Sequence, residues 1–258
     1  MKTYQTILIG GTYYAFGYAA GHPDCLILEE SQILGGDFHH NQHPVDMSAA
    51  GSAEEETELA ALEREYGVWN EDGFDLLKAA PVLHEYASRQ IARGLNILID
   101  VRILSVEKED GRFVVTYMSN EGIRQAAAKN LLDTTVERTA DPAHVRCTGK
   151  TLNVFTVCNG VDFDRKLLSA CPDCRILPGF QENEKLMLFP AAPQEDMLSV
   201  YQRLVDTWKQ AFPAGEEKIL FVADGFDGAY EAQGAGDIPW NGGRFANPLT
   251  AFVQGKEA

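Results

Sequence analysis

No stretch of this 258-residue chain comes near the roughly 18 apolar residues that a membrane-spanning helix needs. Basic charge is also short. Lys and Arg number 22 against 38 Asp and Glu, a formal net charge of −16, whereas nucleic acid and anionic membrane surfaces reward the opposite sign. Neither is expected as a partner. Cysteine is sparse and odd in number, five in all with no dense framework, which suits a reducing compartment. Cys171-Pro-Asp-Cys174 is a lone CxxC. No second CxxC or suitably spaced Cys/His pair follows to complete a tetrahedral site, so no metal is expected and the pair reads as structural. Walker loop, spaced Ser/His/Asp and paired catalytic carboxylates are missing too, so the catalytic residues stay unknown.

Between Lys2 and Asp24 there is no charged residue. A secretory signal would be apolar in that way, but it wants a basic start and an unbroken apolar core. Here Gly10-Gly11 interrupts the run after Ile7, Leu8 and Ile9. Mature structure and a cytoplasmic location are the expectation. Hydrophobic content of 45% and charged content of 23% are ordinary for a globular protein long enough for one large domain or two unequal ones.

What is present is concentrated in Thr6 to Gly36. The apolar run ends in a glycine pair, a helix-length segment follows, and a second run (Leu26, Ile27, Leu28) closes on Glu29. This is the layout of a βαβ dinucleotide-binding unit, in which a helix N-terminus behind a glycine turn offers N–H groups to a diphosphate. Glu29 lies 19 positions after Gly10, close to the roughly 20-residue spacing of an acid that binds a ribose hydroxyl. Gly35-Gly36 follows six residues after Glu29.

Strand, turn, helix, strand, acid and glycine pair in one register resemble the amino terminus of the FAD-dependent oxidoreductases with a glutathione-reductase-like Rossmann domain. The resemblance implies an α/β fold: a central parallel sheet, a three-stranded β-meander crossover, and a small inserted α+β region. It places Gly10, Gly11, Thr12 and Ala15 at the diphosphate, Glu29 and Glu30 at the ribose, and Gly35 and Gly36 near the flavin. It sets the backbone near Ile103 against the adenine, and it matches Thr134 to the family's second short motif. It also puts Asp224 near the ribityl chain and Gly243 and Asn247 at a final glycine loop and helix start. His39, with His40 and His43 on the same polar loop, would stand beside the flavin ring, able to hydrogen-bond it or move a proton. The fingerprint departs from the family at Thr12, where glycine normally lets the backbone approach the diphosphate, and at Val136, which replaces the glycine of the second motif.

The rest of the chain fits this frame. Glu54 to Tyr66 reads as an amphipathic helix with Leu59, Leu62 and Tyr66 on one face. Gly73 to Arg93 reads as two helices broken at Pro81. From Asn96 the period changes to short strands joined by turns at Asp110-Gly111 and Asn120 to Gly122, with Leu131 to Thr135 as a separate closing strand. TLNVFTVC (151–158) and KLMLFPA (185–191) read as strands, Asp164 to Ala170 as a short helix. Met197 to Phe212 reads as an amphipathic helix whose stripe includes Leu198, Tyr201, Leu204 and Trp208. The expected domains are 1–139 with 218–258, FAD-binding-like, around an inserted cap at 140–217. Fewer than about 80 residues is a reduced cap. A small-molecule substrate is therefore expected, losing hydride to flavin. Two alternatives stay open: a cofactor-free descendant acting as a binding or assembly module, and an NAD-binding protein, with NADP disfavoured by Glu29. A homo-oligomer is also left open.

Overall fold

The computed structural model describes residues 1–45, 57–70, 73–158, 160–179, 181–215, 217–234, 236–242 and 245–258. The expectations on Glu54 to Glu56 and on Gly243 fall outside them. Among the described residues no helix is long and apolar enough to cross a membrane.

The continuous run Ile7-Leu8-Ile9 is buried, as a strand covered on both faces must be. It belongs to β1 (Lys2–Ile9), which pairs in parallel with β2 (Cys25–Leu28) on one side and β8 (Gly122–Asp133) on the other. Beyond β2 lies β5 (Asn96–Leu98), also parallel; beyond β8 come β7 (Arg112–Ser119) and β6 (Arg102–Glu109), antiparallel. The result is the expected α/β architecture, a parallel core with a β-meander on one edge. Asp110 and Gly111 both take positive φ, 47° and 76°, as a tight hairpin turn requires. One expectation is corrected. The third meander strand and the closing strand are a single 12-residue strand, β8. No turn residue interrupts Ala126-Ala127-Ala128, which pairs with β7 on one side and β1 on the other.

Helices cover one face of this sheet. The first, α1 (Tyr13–Gly21), buries Tyr13, Tyr14, Ala15 and Phe16. Next is α2 (Glu58–Glu65), which buries Leu59 and Leu62, while Tyr66 beyond its end is 48% exposed. A two-strand hairpin, β3 (Trp69–Asn70) with β4 (Gly73–Phe74), leads into α3 (Leu76–Ala92). Pro81 sits inside α3 and does not break it. The missing N–H costs the helix one hydrogen bond, to position 77, and burial of Val82, Leu83, Tyr86 and Ala87 holds the helix together across it.

A second sheet is built on β9 (Val145–Val157), antiparallel throughout. On one side lie β11 (Glu184–Ala191) and then β10 (Arg175–Pro178); on the other, β12 (Lys218–Val222) and β13 (Asp227–Ala232) pair with successive parts of β9. Lys218 to Val222 and Asp227 to Ala232, expected with the first sheet, pair within this one. One face is covered by α4 (Phe163–Ala170) and α5 (Met197–Ala211). The α5 seam is Val200 and Leu204 with Trp208, and Leu198 and Tyr201 are exposed, against expectation.

The chain then returns to the first sheet. Trp240 forms a parallel bridge with Asp133, the only strand-like contact described after β13, and α6 (Pro248–Glu257) packs along α1. Both helices present glycine at the crossing. A Cβ on Gly17 would lie 1.9 Å from the Phe252 carbonyl oxygen, and one on Gly255 would lie 2.1 Å from that of Tyr14. Gly17→Ala is therefore expected to cost about 3 kcal/mol in denaturant unfolding, at the upper end of overpacking effects. Gly21→Ala on the same helix, where the nearest atom is at 3.2 Å, is expected to stay within about 1 kcal/mol of the parent.

Candidate functional site

The site forms where β1 ends. Gly10 takes φ +97°, and its N–H donates to the Leu28 carbonyl at 2.8 Å. A Cβ there would meet the Thr134 hydroxyl and the Thr135 methyl at 2.9 Å, so both the turn and the close contact with the end of β8 require glycine. Thr134 is turned toward the Gly10 turn. Its hydroxyl donates to the carbonyls of Ile9 and Gly10 at 2.9 and 3.0 Å.

Glu29, buried at the end of β2, ties the turn to its own strand. One carboxylate oxygen accepts from Gly11 N–H at 2.6 Å, the other from Ser31 N–H at 2.7 Å. The Gly35 N–H donates to the Gly11 carbonyl at 2.7 Å, which brings the glycine pair under the turn. Thr12 is the N-cap of α1, accepting from Ala15 N–H at 3.1 Å. It fills with a side chain the role its hydroxyl suits best. Ala15 itself is fully buried.

Beside this turn lies a cleft of about 270 Å³. The anticipated Thr12, Glu29, Glu30 and Gly36 line it, together with Ser31, Asp37, His40, Asn41, Thr135, Val136 and Glu137. Tyr13 and Tyr14 point into the core, Tyr13 edge-on to Phe38 and Tyr14 stacked on Phe245. They leave the niche open. A shallower groove of about 520 Å³ continues past Glu30 along Asp100 to Arg102 and Met118 to Asn120. Ile103 lies next to that groove, but its N–H already donates to a Glu30 carboxylate oxygen at 2.9 Å.

The remaining anticipated residues are dispersed. Asp224 is exposed after β12, although the neighbouring Gly225 abuts His40 and Asn41. Asn247 is fully buried as the N-cap of α6, accepting from Thr250 N–H at 2.8 Å. The three loop histidines separate by environment. His39 turns inward to the Tyr13 hydroxyl at 2.9 Å, and burial, then His84, push its pKa down to about 3, so it stays neutral. His40 faces the cleft with a buried, unpartnered Nδ1. His43 pairs through Nδ1 with Asp227 on β13 at 3.0 Å. Asn153 of β9 joins them, donating to the carbonyls of Asn41 and Gln42 at 3.0 Å. This polar contact fastens the glycine-pair loop to the second sheet.

Sequence reasoning missed the cleft's charge. Glu29, Glu30, Asp37 and Glu137 line it, and among the described residues no lysine or arginine does. Both Asp37 carboxyl oxygens are buried without a hydrogen-bond partner. Burial pushes its pKa up to about 7, with Glu29 adding to the rise, against the pull of its own N–H and those of Tyr13 and Phe38. An acid directly after the glycine pair of a nucleotide-binding unit was the available signal. Desolvation in the cleft, with Asp133, Glu29 and Glu30 nearby, also raises Glu137. Among the described residues no cluster of side chains is arranged to hold a metal.

The α/β fold, with a cleft of about 270 Å³ at the head of the first helix, is shared with solved flavoproteins. No protein-family model and no curated protein matches the chain. Solved structures do. A geranylgeranyl bacteriochlorophyll reductase-like protein from Thermoplasma acidophilum aligns over 99% of this chain and 77% of its own, at TM-score 0.62 and 13% identity. A flavoprotein/dehydrogenase from Cytophaga hutchinsonii aligns over 99% and 76%, at 0.60 and 12%. Aklavinone-11 hydroxylase in complex with FAD and aklavinone aligns over 93% of this chain and 57% of its own, at 0.52 and 13%.

Behind the loop, Glu63 of α2 is wholly buried and accepts from Trp69 Nε1 at 2.7 Å. Burial pushes its pKa up to about 7, opposed by the hydrogen bond from Trp69 and by the nearby Tyr13 hydroxyl. A carboxyl raised on folding stabilises the native state below its unfolded pKa, and that contribution drains away as pH rises to about 7. Glu63→Gln carries no charge at any pH. Its stability relative to the parent should climb between about pH 4.5 and about pH 8, by on the order of 2–3 kcal/mol in denaturant unfolding.

Proposed function

We propose that this chain is an FAD-dependent oxidoreductase, holding FAD in the cleft at the head of α1 and oxidising a small organic substrate in the cytoplasm. One observation carries the reading. The niche behind the Gly10 turn is open, with Glu29 fixed at its rim and both tyrosines turned away. The fold shared with a hydroxylase solved with FAD supports it.

Thr12 and the N–H groups of the first turn of α1 would hold the diphosphate. Glu29 would take the ribose hydroxyls, the groove past Glu30 the adenine. Gly36, His40, Asn41, Thr135 and Val136 would border the flavin end. Bound there, FAD would supply a two-electron acceptor. The chain's own contribution is to position and to move protons. Glu29 is pre-oriented by two backbone donors before any ligand arrives. The Asp227 carboxylate fixes the His43 ring through Nδ1, which leaves Nε2 to take or give a proton. The second sheet is the wall to which that loop is fastened.

Purified protein should carry flavin absorption bands or acquire them with added FAD. FAD at about 100 times its dissociation constant should add about 2.7 kcal/mol to unfolding stability, whereas NADP should add none. A colourless protein that neither gains absorbance nor is stabilised by FAD would overturn this reading.

A further inference from the structure

The niche holds a carboxyl group where an incoming diphosphate needs the opposite charge. Asp37 follows the glycine pair, lines the cleft together with Thr12, and buries both carboxyl oxygens with no hydrogen-bond partner. The Tyr13 N–H at the head of α1 acts on it directly. The first turn of α1 contains no acid of its own, so Asp37 supplies from the loop the anion that this helix end attracts. We propose that Asp37 gates the diphosphate niche, standing in for the ligand's phosphoryl oxygens and yielding to them only as the neutral acid. The proposal rests on the dinucleotide reading above. It adds that ligand uptake is coupled to uptake of one proton by the protein.

An ionised Asp37 beside a phosphate would place like charges within a few ångströms in a cleft that has no cationic side chain among the described residues lining it. Protonated, the same side chain becomes an O–H donor, and a phosphoryl oxygen is the acceptor it lacks in the free protein. Burial already brings the carboxyl up to about 7 without ligand, so the switch falls within the physiological range. The groups around it are few. Glu29 and Glu30 face it from the end of β2, Glu137 from beyond β8, and His40 from its own loop. Tyr13 lies behind it on α1, backed by Glu63 of α2, and its hydroxyl pKa is raised well above the ordinary value by burial and by these two acids. Of these, Glu63 is likewise raised to about 7, and Glu137 is raised as well. Glu63 stands behind Tyr13 and away from the cleft lining.

The test measures FAD affinity of the whole chain by flavin fluorescence against pH, for the parent and for Asp37→Asn, with Asp37→Ser as a second neutral variant. The parent should bind about tenfold more weakly at about pH 8 than at about pH 6. Both variants should bind at the higher pH at least as tightly as the parent does at the lower, with a flat profile. An unchanged pH dependence in the variants would overturn the gate and leave the cofactor reading standing. Inorganic pyrophosphate, followed by thermal melting, separates the remaining cases. Should FAD fail to bind while pyrophosphate protects both variants at about pH 8 and the parent only at about pH 6, the gate holds and the cofactor reading falls. Protection by neither ligand in any variant would sink both.

Discussion

The close approach of α1 and α6 constrains what packs around the first sheet. The two helices touch backbone to backbone through Gly17 and Gly255, so the last element of the chain fixes the axis of the first helix. That axis sets where the α1 N-terminus points, and with it the position of Thr12, the Gly10 turn and the niche between them. On the other side of α1, Tyr13, Phe16 and Phe38 fill the space to α3. A helix so tightly held cannot drift to make room for a ligand, and any adjustment falls to the loop at Asp37 to Asn41.

That loop carries the site's contradictions. It sits under the Gly10 turn through Gly35 and is tied to the second sheet through His43, Asp227 and Asn153. In between it exposes His40 to the cleft and buries Asp37 without a partner. Buried polar groups are normally paired, because an unmade hydrogen bond costs about 1–3 kcal/mol. An orphaned carboxyl at a helix N-terminus is therefore stored free energy that a ligand or a proton can release. The acid excess of the whole chain takes on local meaning here, since four of its carboxylates converge on one cleft.

Two of the fingerprint's departures become intelligible in the folded state. Thr12 forfeits the glycine of the phosphate turn but caps α1 with its hydroxyl, which explains why a threonine is stable there. At the second motif, Val136 lines the cleft without needing positive φ, because the left-handed residue in this stretch is Arg138, at φ 58°. Arg138 is buried and held by the Ile238 and His144 carbonyls, so this segment spends its strain on joining the two sheets.

The sequence by itself determined the parallel core, the meander and the capped first helix. Those features depend on local patterns: a continuous apolar run for a strand buried on both faces, Asp-Gly for a tight turn, and Gly10 with Glu29 at fixed spacing. Only the tertiary structure decided which side of each helix faced inward, as the exposed Leu198 and Tyr201 illustrate. The same holds for the membership of Lys218 to Ala232, which pair with a strand more than 60 positions earlier. The fate of the loop histidines was likewise settled by tertiary contacts. His39, His40 and His43 look alike in sequence, and partners 26 and 184 positions away separate a core residue from a sheet-anchored one. Charge is the sharpest case. Four acids scattered between positions 29 and 137 become one electrostatic site only when the segments that follow β2 and β8 meet at the end of β1, which lies between those strands.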